Sequence, residues 1–158
     1  MKASVFALAA LISLPALADR MPIPANAPPA FKAECGSCHM AFPPALLAAD
    51  DWRRVMAKLD KHYGDNASLD DPTRKQIEDF LTRNASSSWN LGSGSGDPPR
   101  LTLTSRFQRK HREISQATWK DKRVGSAANC AACHPRAEAG SFSEHEITMP
   151  GGRRHGHD

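Results

Sequence analysis

Beyond its first 18 residues, this chain of 158 residues has no apolar run that approaches the length of a membrane-spanning helix. It also lacks convincing alternation of apolar and polar residues, so little or no sheet is expected. Its 21 Lys and Arg outnumber its 17 Asp and Glu by only four, and both signs are mixed along the chain. A nucleic-acid binder usually concentrates positive charge and aromatic residues in a recognisable module. The sequence therefore argues against a membrane-integral protein, a β-sheet domain and a nucleic-acid binder.

The first 18 residues have the features of a cleaved export signal. Lys2 precedes an apolar run from Val5 to Leu17, and Ala16-Leu17-Ala18 is the small-x-small pattern that signal peptidase cleaves. The run is too short for a permanent bilayer span. We predict cleavage after Ala18, a mature chain that begins at Asp19, and a periplasmic location; an N-terminal membrane anchor is the alternative.

The chain has only four cysteines, and they occur in two identical frames. The frames are Cys35-Gly36-Ser37-Cys38-His39 and Cys130-Ala131-Ala132-Cys133-His134. Each is a C-x-x-C-H sequence, the attachment motif of c-type haem. Two thiols bond to the two vinyl groups of one haem, and the histidine that follows ligates the iron from the proximal side. The sequence thus predicts two haem c groups, bonded to all four cysteines, with His39 and His134 as proximal ligands.

Three other uses of paired cysteines are alternatives. A zinc ribbon has C-x-x-C pairs about 15–20 residues apart, whereas 91 residues separate Cys38 from Cys130 here. Structural disulfides suit an oxidising compartment but leave the two histidines unexplained. A thioredoxin-like pair requires a βαβ context, which the sequence does not show. Haem attachment accounts for the cysteines, the histidines and the export signal together.

Three helices are predicted between and around the motifs. The first begins at Asp50 or Asp51 and ends near Tyr63, because its apolar residues repeat at helical spacing. The second begins at Asp70-Asp71-Pro72, with Asp as cap and Pro in the first turn. The third is capped by Ser105 and runs from Arg106 to Trp119. The stripes of these three helices are Trp52, Val55, Met56 and Leu59; Ile77, Phe80 and Leu81; and Phe107, His111, Ile114 and Thr118.

The expected fold is mainly α, with two small haem modules and extensive loops. We assign residues 1–18 to the signal peptide, 19–85 to an N-terminal haem module and 99–158 to a C-terminal one. Residues 86–98 are rich in Gly, Ser and Pro and are typical of a flexible linker. So short a chain cannot bury a large core alone, and the two haems are expected to form much of the apolar interior.

His62 and His111 are the preferred candidates for the distal side of each iron. Each is a lone histidine on an apolar helix stripe, where a buried core histidine is the usual interpretation, but an iron with a free position in each module favours ligation. His145 is the alternative distal ligand for the second haem.

The methionines are weaker candidates. Met56 and Met149 offer thioether ligands, although Met56 has the spacing of a core residue. Met40 directly follows a proximal histidine and is poorly placed to reach the opposite face. His155 and His157 lie in a terminal tail that is expected to be solvated.

Several longer strings resemble a known family, the small bacterial dihaem cytochromes c typified by the one from Rhodobacter sphaeroides. The match covers nearly all of the predicted mature chain. Its strings include Trp52-Arg53-Arg54-Val55-Met56, His62-Tyr63-Gly64-Asp65-Asn66-Ala67-Ser68-Leu69, Arg106-Phe107, His111-Arg112-Glu113-Ile114 and Gly140-Ser141-Phe142. The resemblance implies two low-spin haems, each with two histidine ligands, and places histidines at His62 and His111. Tyr63 stands where the resemblance leads us to expect Phe.

The resemblance also implies a role in electron transfer. Proteins like this are thought to pass electrons from a membrane b-type cytochrome to an oxygen-binding monohaem cytochrome, the sphaeroides haem protein. The alternatives are a dihaem enzyme, either a peroxidase or a gas reductase, and a gas-binding module with one open haem site. Arg106, Arg109, Lys110 and Arg112 form a basic run that either steers an acidic partner or is simply a solvated face. Arg100 is a candidate partner for a haem propionate.

Overall fold

The computed structural model describes residues 19–88, 91 and 93–150 of the chain. The predicted signal peptide, His155 and His157 lie outside these residues. Within the described part the protein is mainly α, as predicted, and contains no strand. No helix in these ranges is long and apolar enough to cross a bilayer.

Five α-helices and six 3₁₀ turns occur in the described residues. The helices are α1 (Pro29–Cys35), α2 (Ala49–Met56), α3 (Asp71–Arg83), α4 (Ser105–Lys110) and α5 (Gln116–Trp119). The 3₁₀ turns are Pro44–Leu46, Leu59–Lys61, Leu101–Leu103, Cys130–Ala132, Ala137–Ala139 and Glu144–Glu146. Such short elements cannot hold a fold through helix propensity, so tertiary packing must do so.

Helix α2 is shorter than predicted. It begins one residue before Asp50 and has no side-chain cap, and it ends at Met56 rather than near Tyr63. The chain then turns through the 3₁₀ segment Leu59–Lys61. Asp51 does not cap the helix because its carboxylate is buried and accepts a hydrogen bond from Gly94 N at 2.7 Å. The early end of α2 takes His62 out of the helix and into a turn.

Helix α3 follows its prediction. The Asp70 side chain accepts a hydrogen bond from Thr73 N at 3.0 Å, and Pro lies in the first turn. Ile77, Phe80 and Leu81 are all buried, and α2 and α3 pack together. The main apolar cluster of the described residues is drawn from this first half of the chain, from Phe31 to Leu81.

The predicted third helix is two helices. Helix α4 ends at Lys110, with His111 at its C-terminal end, and α5 begins only at Gln116. The caps are Thr104, which accepts a hydrogen bond from Phe107 N at 3.2 Å, and Ser115, which accepts one from Thr118 N at 3.1 Å. Each hydroxyl satisfies an N–H group that a helix start leaves free. Ser105 is therefore the first residue of α4 and not its cap.

The described part of the predicted linker is hydrogen-bonded to both halves of the chain. Leu91 is buried, and its carbonyl accepts a hydrogen bond from Arg106 N at 3.0 Å. Gly94 is held by Asp51, and the Arg54 guanidinium donates to Gly96 O at 2.7 Å. These residues are thus fixed in place, whereas the division into modules of residues 19–85 and 99–158 stays a prediction.

An N-terminal arm, residues 19–22, joins the two ends of the described chain. Met21 N donates to Gly140 O at 2.7 Å, Phe142 N donates to Asp19 O at 3.0 Å, and Arg20 forms an isolated bridge with Ser141. Asp19 also forms ion pairs with Arg106 and Lys110 at 3.4 and 3.6 Å. The arm therefore anchors the loop that follows the second C-x-x-C-H frame.

Candidate haem sites

The first C-x-x-C-H frame begins at the end of helix α1. Cys35 is the last residue of the helix, and Gly36 N closes it by donating to Lys32 O at 3.1 Å. A side chain at Gly36 would overlap that carbonyl group, so the tight turn requires glycine. The turn brings Cys38 and His39 out of the helix and to the surface.

His39 faces His62 across the first site. Their ring centroids lie 6.2 Å apart, with planes inclined by 23°. Phe42 stacks on His39 with ring centroids 4.8 Å apart, and His39 Nδ1 donates to Met40 O at 2.7 Å. The hydrogen bond and the stacking fix the orientation of the His39 ring, with its other nitrogen left for a ligand role.

The second frame forms a 3₁₀ turn. Cys130–Ala132 is closed by bonds from Cys133 N and His134 N to Cys130 O, at 3.2 and 2.8 Å. The amide of Asn129 donates to Val124 O at 3.0 Å. Thr148 N donates to Cys133 O at 2.9 Å. These bonds hold Cys130, Cys133 and His134 on one surface.

His134 faces His111 across the second site. The centroids are again 6.2 Å apart, but the planes are inclined by 78°. His111 Nδ1 donates to Phe107 O at 2.9 Å, and the Phe107 ring stacks on His111 at 4.0 Å and 19°. Phe142 packs edge-on against His134 at 5.6 Å.

An apolar cavity opens between these two histidines. It is lined by Cys130, Cys133, His111 and His134, together with side chains from the arm, from α4 and α5 and from the tail. All four residues of the predicted stripe line this cavity: Phe107, His111, Ile114 and Thr118. They do so although the predicted helix is divided into α4 and α5. Val124, buried beside them, also lines it.

Both histidine pairs fit a single iron. A metal bound by two imidazoles from opposite sides, with metal–nitrogen bonds of about 2.0 Å, separates the ring centroids by roughly 6 Å once the ring radii are added. Both observed separations are 6.2 Å. The two sites thus offer the same set of donors, two thiols and two imidazoles, and the apolar cavity of the second site suits a porphyrin.

The electrostatics of the sites favour neutral ligands. Burial lowers the pKa of His62, His111 and His134 below the ordinary value of 6.5, and the facing histidine lowers the pKa of His62 and His134 further. Neutral imidazole is the form that binds a metal. Burial raises the pKa of the Cys35 thiol to about 11, with help from the Glu34 carboxylate, and raises those of Cys130 and Cys133. These cysteines are therefore not the exposed, acidic thiols of redox-active pairs.

The weaker distal candidates lie elsewhere in the described residues. His145 is exposed on the turn Glu144–Glu146 and does not line the cavity, whereas Met149 does. Met56 is a core residue, 3% exposed. Arg100 lies over the Tyr63 ring at 4.6 Å from its centroid. In residues 19–88, 91 and 93–150 no three or more His, Cys, Asp or Glu side chains are grouped so that they could hold a metal ion. The four cysteines therefore do not form the cluster that a zinc ribbon requires.

Several residues that shape the sites were missed from the sequence. Phe42 and Phe142 contact proximal histidines, and Asp19 lines the second cavity from far along the chain. Phe42 lies three positions after the first frame and Phe142 lies eight positions after the second, so their closeness to the frames is visible in the sequence. Nothing local to Asp19 indicates its position, since it depends on the pairing of the arm with residues 140–142.

Two thiol pairs, two facing imidazole pairs and a helical fold define a cytochrome c with two haems. The family model described as dihaem cytochrome c matches residues 31–142. The chain therefore belongs to the dihaem cytochrome c family and carries two haem c groups. Membership indicates an electron-transfer haem protein.

Solved structures agree with this assignment. The chain is similar to a dihaem cytochrome c from Shewanella baltica OS155, with 41% identity and a TM-score of 0.71 over 80% of this chain and 95% of that one. It is also similar to the dihaem cytochrome c from Rhodobacter sphaeroides, with 44% identity and a TM-score of 0.63 over 73% of this chain and 96% of that one. A comparison with curated proteins found no match.

Proposed function

We propose that this protein is a periplasmic electron relay with no enzymatic activity, in which each iron has two histidine ligands. His39 and His62 hold the first iron, and His134 and His111 hold the second. Cys35 with Cys38 and Cys130 with Cys133 attach the two groups covalently. The observation that carries the proposal is the pair of facing imidazoles, 6.2 Å apart, at both sites.

The bound haems supply reversible one-electron chemistry. The chain's part would be to supply two imidazoles to each iron, which would leave no open site for dioxygen or peroxide. His39 and His111 are also held by hydrogen bonds to Met40 O and Phe107 O, which fix the imidazoles while the charge of the site changes. Rigid ligation keeps rearrangement small during electron transfer.

The proposed direction of electron flow is from a membrane b-type cytochrome to an oxygen-binding monohaem cytochrome. Contact with such redox partners is expected to be small and transient. The basic run is only partly available to steer a partner, because Arg106 and Lys110 form ion pairs with Asp19 and Lys110 also with Glu144. Export by a cleaved signal would place the protein where haem c is attached and where these partners act.

Haem stoichiometry and spin state test the proposal together. The mature holoprotein should retain two haems per chain after denaturation and extraction with acidified organic solvent, and a pyridine haemochrome assay should give the same ratio. Ferric and ferrous optical spectra should be entirely low-spin. Rapid binding of carbon monoxide to the reduced protein, or high-spin bands, would instead favour the enzyme or the gas-binding module.

Mixing experiments test the direction. Reduced holoprotein should transfer electrons to a ferric oxygen-binding monohaem cytochrome in a stopped-flow experiment, with one electron leaving each haem. No electron transfer to this acceptor would exclude the proposed partner class while leaving the two-haem assignment intact.

A further inference from the structure

Tyr63 has an unusual backbone conformation beside a proposed ligand. It follows His62 directly and has a φ of 54°, the one positive φ among the non-glycine residues that the structure describes. This left-handed region disfavours residues with a bulky side chain. Such a conformation persists only where surrounding contacts impose it, and it often occurs at functional sites.

The contacts that hold Tyr63 come from residues 94–100, which we call the strap. The Tyr63 hydroxyl donates to Pro99 O at 2.5 Å. The Arg100 guanidinium lies over the phenol ring, 4.6 Å from its centroid. The Tyr63 ring also meets His62 edge-on, with centroids 4.7 Å apart and planes inclined by 60°. Tyr63 thus contacts both the strap and the His62 imidazole.

The strap is itself firmly anchored. Gly94 N donates to the buried Asp51 carboxylate at 2.7 Å, Arg54 donates to Gly96 O at 2.7 Å, and Lys58 pairs with Asp97 at 3.5 Å. Arg100 N closes the strap by donating to Ser95 O at 3.0 Å. These bonds fix Pro99 and Arg100 relative to α2, so the groups that contact Tyr63 are held in place.

His62 lacks the hydrogen bond that orients its counterpart in the second site. His111 Nδ1 donates to Phe107 O, whereas the buried His62 Nδ1, like the Nδ1 of the proximal His134, has no hydrogen-bond partner in the described part of the chain. Metal-binding histidines almost always use the second nitrogen to fix the ring orientation. At His62 the edge contact of Tyr63 is the neighbouring interaction that constrains the ring.

We propose that Tyr63 is a positioning residue for His62, fixed by Pro99 and Arg100, that keeps the His62 imidazole facing His39. This inference rests on the proposed function, since it takes His62 as a ligand of the first haem. In this proposal the strap, acting through Tyr63, orients His62 in the first site as the Phe107 carbonyl orients His111 in the second.

The test uses holoprotein carrying Tyr63→Phe, which removes only the hydroxyl, and Tyr63→Gly, which also relieves the left-handed conformation and removes the ring. Carbon monoxide binding to the reduced protein and low-temperature electron paramagnetic resonance (EPR) of the ferric protein are the readouts. Tyr63→Phe should increase the fraction of one haem per chain that binds carbon monoxide by about five- to tenfold, the effect of one ordinary hydrogen bond. Tyr63→Gly should increase it further, and the resonance of the second haem should be unchanged in both.

His62→Ala, measured in parallel, separates the two proposals. If His62→Ala leaves both haems low-spin, His62 is not the ligand and the proposed function needs another residue there. If His62→Ala opens one haem but both Tyr63 variants match the wild type in carbon monoxide binding and EPR, the positioning role of Tyr63 is overturned alone. A general loss of stability would affect both haems and would also overturn it.

Discussion

The imidazole planes of His39 and His62 are inclined by 23°, whereas those of His111 and His134, at the same 6.2 Å separation, are inclined by 78°. The two sites thus offer the same donors in different orientations. The cause lies in the neighbours. His39 is stacked on Phe42, and His111 is held by the carbonyl and ring of Phe107.

The first prediction is that the ferric protein has two distinct low-spin EPR signals of equal intensity. Nearly parallel imidazoles split the iron d orbitals that they overlap, which gives a rhombic signal, whereas nearly perpendicular imidazoles leave those orbitals close in energy and give a strongly anisotropic one. Frozen-solution EPR at low temperature checks this. Two identical rhombic signals would show that the ring planes of the two sites do not differ.

The second prediction concerns Gly140, where the N-terminal arm crosses the tail. Its φ is +72°, and a side chain there would overlap the backbone of Met21 and Pro22. Gly140→Ala should destabilise the holoprotein by about 1–3 kcal/mol from backbone strain and by about 1–3 kcal/mol more from overlap. Denaturant unfolding of the holoprotein measures the sum.

Gly125→Ala is the matched control for this change. Gly125 has a similar φ of +68°, but the nearest atom to an added side chain, Lys122 O, is 3.9 Å away. Gly125→Ala should therefore lose only the part of the stability that backbone strain accounts for, about 1–3 kcal/mol. Equal losses in the two variants would mean that the arm does not pack closely on Gly140.

The third prediction concerns Asp51, which anchors the strap. Its carboxylate is 1% exposed, accepts from Gly94 N at 2.7 Å and lies 3.3 Å from the Arg54 guanidinium. Asp51→Ala should cost about 1–3 kcal/mol of unfolding free energy, because Gly94 N is then buried without a partner. Asp50→Ala, one residue earlier and with a side chain 90% exposed, is the control and should change stability by less than about 0.5 kcal/mol. A similar small effect in both would remove Asp51 as an anchor.

The fourth prediction is an acid sensitivity located at Glu146. The hydrogen bond from the Ser141 hydroxyl, at 2.7 Å, and the nearby Arg136 guanidinium lower the pKa of Glu146 below its ordinary value of 4.5. A carboxyl group with a depressed folded-state pKa stabilises the protein above its unfolded pKa, and this contribution is lost as the pH falls through the folded value. Glu146→Gln should therefore be less stable than wild type at neutral pH, and the difference should shrink below pH 4.5. Thermal unfolding across that range measures it, and a difference independent of pH would contradict the assignment.

The sequence revealed the chemistry of this protein better than its local geometry. The C-x-x-C-H frames, the buried stripe of α3 and the grouping of Phe107 with His111 on the cavity wall could all be read from spacing. The ends of α2 and α4 could not, because they depend on distant contacts. Asp51 is drawn away from capping by Gly94, 43 residues later in the chain. The Gly- and Ser-rich segment is a further case: its composition favours a flexible linker, yet Gly94 and Gly96 are hydrogen-bonded to residues of α2.

The last prediction separates the two distal candidates for the second haem. His111 lines the second cavity and faces His134. His145 is exposed on a turn and does not line this cavity, although the nearby Glu144 and Ile147 do. His111→Ala should therefore convert one haem to a high-spin form that binds carbon monoxide, and the EPR signal of the first haem should remain. His145→Ala should leave both haems low-spin, since its removal takes nothing from the cavity wall. If His111→Ala stays low-spin, Met21 and Met149 are the remaining methionine side chains on that wall. The triple variant His111→Ala, Met21→Leu, Met149→Leu would then open the site.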